Sequence, residues 1–126
     1  MNNNLLKVAS LVEAATGVAL FLAPAVVLRL LFGDVELGLG KSVGRVAGLA
    51  LLSLGVACWP RQSPHRSADV AMLLYNAGTV ALLFVMGLQG QQVGIALWPG
   101  VILHLCFTVA FLIKLARSNS PHSSGP

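Results

Sequence analysis

The chain has 126 residues, of which 56% are hydrophobic and only 10% charged. A soluble domain carries about 25% charged residues, so this chain cannot cover a soluble surface; lipid is the solvent that tolerates the shortage. The net charge of +4 comes from basic residues at the ends of apolar runs, without interleaved aromatics, which reads as a topology signal at the membrane surface and excludes nucleic acid as a partner.

A bilayer core of about 30 Å needs about 20 helical residues to cross it, and four segments meet that length. The first runs from about Leu5 to Ala23, where Pro24 ends or kinks it. The stretch from Pro24 to Gly33 (PAVVLRLLFG) is apolar with one arginine and is expected to lie along the interface as a short helix. The second span runs from about Gly38 to Trp59 and stops at Pro60; the following loop, PRQSPHR, is polar and basic. From Val70 to Ile113 no residue is charged, a run of 44, too long for one crossing. The polar stretch from Gly87 to Gln92 (GLQGQQ) divides it into a hairpin, with spans at about 68–88 and 93–115. The expected fold is therefore all-α: a four-helix transmembrane bundle over residues 1–117, followed by a disordered polar tail over 118–126 (SNSPHSSGP). A cleavable signal peptide is the competing reading of the start, since Ala23-Pro24-Ala25 loosely resembles a cleavage site; Glu13 within the apolar stretch and a lone Lys7 before it weigh against that.

With four spans, both termini and the middle loop share one side. That side carries Lys7, Arg61, Arg66, Lys114 and Arg117; the opposite side carries Arg29 and Lys41, with Arg45 if it snorkels outward. The bias places both termini in the cytoplasm of a protein of the inner (plasma) membrane. Trp59 and Trp98 then fall near opposite membrane faces. Cys58 and Cys106 lie in separate apolar runs with no metal-ligand spacing around them, and they read as buried free thiols; neither metal nor cofactor is implied.

A charged side chain at the centre of a membrane helix costs at least ~2.5 kcal/mol, so something should offset each one. Glu13 lies roughly 12 Å into the first span at a rise of about 1.5 Å per residue. Its helical neighbours Ala9, Ser10, Thr16 and Gly17 make a small, polar stripe that should face the bundle interior. Asn76 beside Tyr75 in the third span and His104 in the fourth fall at a depth comparable to Glu13, and Arg45 in the second lies nearer the opposite membrane face with a side chain long enough to reach down, so that each helix adds one polar position. Two readings stand side by side. In one, Glu13, Arg45, Tyr75, Asn76 and His104 form an intramembrane binding site. In the other they are a structural network, with Glu13 ionised and paired to Arg45 and the rest hydrogen-bonded across helices. Gly40, Gly44 and Gly48, at four-residue spacing, make a flat groove for another helix, within the monomer or in a homodimer. No catalytic residue is assigned.

The stretches LLKVASLVEAATGVALFLAP, VGRVAGLALLSLGVACWP, LLYNAG and WPGVILHLCFTVAFL together resemble the DoxX-like membrane proteins. These are small four-helix bundles with a Gly-Arg near the start of the second helix, matched here by Gly44-Arg45. The resemblance spans nearly the whole chain and implies a link to oxidoreductase complexes and quinone chemistry. A lesser likeness, carried by Glu13 in SLVEAATG, is to the small multidrug resistance transporters. The chain is thus read as a small, non-enzymatic membrane bundle or an accessory subunit of a membrane complex. The alternatives are a proton-coupled small-molecule transporter using Glu13 and a subunit of a redox complex. The lipid bilayer is the expected surrounding, with a membrane-protein partner or a second copy as the expected associate.

The orientation is testable in intact cells, after replacement of the two native cysteines. An impermeant thiol reagent should label a cysteine introduced at Gln91 and spare one at Ser63; labelling of both rules out a single orientation.

Overall fold

The computed structural model describes residues 3–33, 38–61, 66–90 and 93–118. Among the described residues there are five helices: α1 (Asn4–Leu22), α2 (Pro24–Phe32), α3 (Gly40–Ala57), α4 (Arg66–Gln89) and α5 (Leu97–Ser118). Of these α1, α3, α4 and α5 are long and apolar enough to cross a membrane, and by length and composition they make a multi-pass membrane protein. Their outer surface is itself hydrocarbon: Leu11, Leu22, Val46, Leu74, Leu82 and Ile102 are all more than half exposed. The last helix starts at Leu97 rather than near Val93, and it includes Ser118. The rest of the tail expected to be disordered lies outside the described residues.

Pro24 accounts for the break after α1. Its ring fits the first turn of a helix and cannot continue one, so α1 stops at Leu22 and α2 starts at Pro24 itself. The short helix ends at Gly33, whose φ of 73° suits glycine best; Gly90, at φ 66°, follows α4 in the same way. A helix leaves its last carbonyls unpaired. Here two of them find backbone donors across the molecule: Gly94 N–H donates to the Leu31 carbonyl at 2.9 Å and Ala96 N–H to the Leu30 carbonyl at 2.8 Å. Gly94 permits this approach, because a side chain at that position would collide with the Leu30 carbonyl.

The helices form two tight pairs, α1 on α3 and α4 on α5, joined chiefly through α1, which also touches α4 and α5. Substantial packing of α3 against α4 or α5 is absent among the described residues. The α1–α3 seam is made of glycines. A Cβ on Gly48 would sit 2.6 Å from the Phe21 nitrogen and 2.7 Å from the Gly17 oxygen. One on Gly17 would sit 2.5 Å from the Leu52 nitrogen, and one on Gly55 2.6 Å from the Ser10 oxygen. The groove read from the glycine spacing is therefore filled inside the monomer, and it extends to Gly55. Gly44 faces Pro24 and Leu28 of α2, while Gly40 is half-buried at the start of α3.

The apolar core is split. Leu6, Ala9, Cys58, Met72, Phe107 and Phe111 cluster toward the end where α1 begins and α5 finishes. Leu83, Leu97 and Val101, with Phe32, cluster at the other end. Between them lie the polar side chains and a cleft.

Because backbone atoms line the seam at Gly48, nothing there can rotate aside. Gly48→Leu should lower thermal stability in detergent by the equivalent of about 3 kcal/mol or more, beyond ordinary overpacking. Gly78→Leu, at a site with nothing within 4 Å, should leave stability unchanged.

Candidate functional site

Three polar residues from three helices meet at mid-depth. Glu13 on α1 and Asn76 on α4 are fully buried, and the His104 side chain on α5 keeps 13% of its surface exposed. The hydrogen bonds fix their chemistry in sequence. Asn76 Nδ2 donates to the Met72 carbonyl at 2.8 Å. A carbonyl only accepts, so the amide is oriented with Oδ1 toward the 2.7 Å contact with His104 Nδ1. That ring nitrogen must therefore carry the hydrogen. Tyr75 stands edge-on to the imidazole, with ring centres 5.8 Å apart and planes at 79°.

Glu13 is different. Its Oε1 lies 3.9 Å from His104 Nδ1, beyond hydrogen-bond distance, and the Tyr75 hydroxyl also faces the carboxyl, yet neither oxygen has a partner in hydrogen-bond geometry among the described residues. Ser10 Oγ, one turn earlier on the same helix and also fully buried, lacks one too. The other polar side chains of the spans show how readily this could be avoided. Ser53, Asn76, Thr79 and Thr108 each donate to the carbonyl four residues back on their own helix. A buried polar group without a partner costs about 1–3 kcal/mol. The carboxyl and the hydroxyl stand together on α1, so the cost is concentrated at one place, as it is where polar groups are kept for more than stability.

Arg45 does not join them. The ionised Glu13–Arg45 pair expected from sequence is not formed: among the described residues the ionisable group nearest Glu13 is His104, at 3.9 Å, the close ion pair is Lys114 with Asp69, and Arg45 is exposed. The reason is angular. Gly44 and Gly48 face inward, and one residue further on is about 100° around a helix of 3.6 residues per turn. The arginine side chain is long enough to span the difference in depth to Glu13, but it leaves α3 from another face. Proximity in sequence to the glycine groove did not bring shielding with it.

Sequence reasoning also missed the ion pair of Asp69 and Lys114, 2.7 Å apart and largely buried. Asp69 falls near a span end in the sequence, where an acid needs no partner. The usable signal was that α4 begins and α5 ends on the same side, which brings an acid and a lysine together. This pair stands in a cavity of about 540 Å³ with Asn3, Cys58, Trp59 and Arg61. The two cysteines are free; Cys58 is buried as expected, but Cys106 is exposed on the outer surface of α5. Among the described residues no three of His, Cys, Asp and Glu come together as metal ligands would.

The larger cavity, about 710 Å³, is the cleft between the two helix pairs. Leu20 of α1, Ala47 and Leu51 of α3 and Leu83 of α4 line it; α2 contributes Leu28 and Leu31 toward one end. Its polar lining is Thr16, Tyr75, Thr79 and His104. Glu13 lies behind that wall, fully covered. Compared with family models, curated proteins and solved structures, the chain matches none.

Two double-mutant cycles separate real contacts from mere similarity of depth. Stability of the Asn76→Ala, His104→Ala pair in detergent should show coupling of about 0.6–1.7 kcal/mol, the range of interhelical hydrogen bonds in membranes. Glu13→Gln and Arg45→Gln should simply add.

Proposed function

We propose that this protein binds a lipid-dissolved amphipathic small molecule in the cleft between its helix pairs. It does so in the plasma membrane with both termini cytoplasmic, and by binding rather than catalysis. The observation that carries the reading is the cleft's composition: apolar walls with Thr16, Tyr75, Thr79 and His104 as the polar groups among them. Binding sites for small molecules are largely apolar with a few convergent polar groups, and this cleft has that make-up. Such a bundle could serve alone or as the accessory subunit that presents a ligand to a larger membrane complex.

A second reading is favoured by one feature, the unpartnered carboxyl of Glu13 a single side chain behind the cleft wall. A carboxyl so placed could carry a proton through His104, which would make the protein a proton-coupled transporter. The DoxX-like resemblance, and the redox-complex role it implies, rests in part on Gly44-Arg45. Arg45 stands outside the polar cluster, so the cluster lends that role no support.

Photolabelling in liposomes tests the binding role. A diazirine-bearing long-chain probe should place adducts on cleft residues, and Ala47→Trp should reduce them about tenfold, equivalent to ~1.4 kcal/mol. Leu74→Trp, on the outer surface and 74% exposed in the native residue, should not. Adducts scattered evenly over the outer surface and indifferent to Ala47→Trp refute the cleft as a binding site. Proton uptake that accompanies probe movement and vanishes in Glu13→Gln extends binding to coupled transport.

A further inference from the structure

The polar end of the cleft has a definite hydrogen-bonding sense, and it is set from behind the wall. The Met72 carbonyl orients the Asn76 amide, and the amide oxygen holds the hydrogen of His104 on Nδ1. In the neutral ring, Nε2 is then a bare acceptor. Thr79 points the same way: its hydroxyl hydrogen is committed to the Tyr75 carbonyl at 2.9 Å, which leaves its oxygen free to accept. Charge is missing from this lining, because Glu13 is covered and no lysine, arginine, aspartate or glutamate is among the described residues that line the cleft. A charged head group would be desolvated there without a counter-charge.

We propose that the occupant of the cleft is a neutral, lipid-soluble alcohol or phenol whose hydroxyl hydrogen is accepted by Nε2 of His104. This rests on the cleft being the binding site. A hydroxyl is the group that fits: it donates its hydrogen to the imidazole, whereas the Tyr75 hydroxyl already faces Glu13 and Thr79. An ether or ketone has no hydrogen to give and leaves Nε2 of His104 unpaired. Asn76 and Met72 are positioning residues in this scheme, and His104 is the group that touches the ligand.

The test compares two probes on the full-length protein in liposomes: a diazirine-bearing hexadecanol and its O-methyl ether. Adducts at Leu20, Leu51, Leu83 and Leu103 are read by mass spectrometry. The ether partitions deeper into the bilayer than the alcohol, so partitioning alone favours the ether at mid-depth. The expected result is the reverse, about fivefold more cleft adducts from the alcohol, the size of one neutral hydrogen bond. His104→Phe should bring the two probes level while labelling of the cleft persists. Equal labelling of the native protein by both probes, or an excess from the ether, overturns recognition of the hydroxyl and leaves the cleft as a binding site. A preference for the alcohol that survives His104→Phe overturns the role of the imidazole. Cleft adducts from neither probe overturn both this proposal and the binding role, and leave the cleft to a lipid chain, a second copy or another membrane protein.

Discussion

The approach of α1 to α3 through glycine is the constraint on which the rest depends. Lipid gives no hydrophobic reward for bringing two apolar helices together, so the pair relies on close packing and on what small residues allow. Gly17, Gly48 and Gly55 let backbone lie against backbone over much of the length of both helices. That contact uses the face of α1 that carries Ser10 and Gly17 and leaves an adjoining one, with Glu13, to meet α4 and α5. Because α3 is committed to α1, it does not close against the second pair. The cleft is thus a by-product of where the glycines are.

The polar residues divide into those that serve the helices and those that do not. Asp69 and Lys114 close one end with an ion pair, and Asn76 ties α4 to α5 through His104. These contacts are satisfied and account for their own burial. Ser10 and Glu13 are buried without partners among the described residues, although His104 stands 3.9 Å from the Glu13 carboxyl. The contrast locates function better than burial alone. Every one of these residues would look equally anomalous on a hydropathy plot.

Much of this was legible in the chain itself. Apolar run length fixes the number of crossings because bilayer thickness does, and Pro24 announces its own helix boundary. Glu13, Tyr75, Asn76 and His104 could be grouped by counting residues from the span ends, since rise per residue is constant. Rotation about the helix axis is harder to read: for Arg45 a count gives height but not direction, and with so few polar residues on α3 the periodicity that would reveal its buried face is faint. Only the glycines mark that face, and Arg45 is one residue off it. The ligation of α2 by Gly94 and Ala96 had no sequence signal at all, because the groups involved are backbone amides and carbonyls that every residue possesses.

That ligation has a mechanical consequence. The short helix α2 is continuous in chain with α1, yet its terminal carbonyls are held by the segment leading into α5. It therefore bridges the two helix pairs at the end away from the core cluster that α1 shares with α4 and α5. If the helix pairs spread to admit a bulky guest, α2 must either let go of two amides or bend where Ala23 meets Pro24. Proline offers no amide hydrogen to resist at that joint, so bending is the cheaper movement. The molecule thus has a natural pivot at one end and a fastened strap across it. Opening would be a swing about that point rather than a sliding of helices past one another.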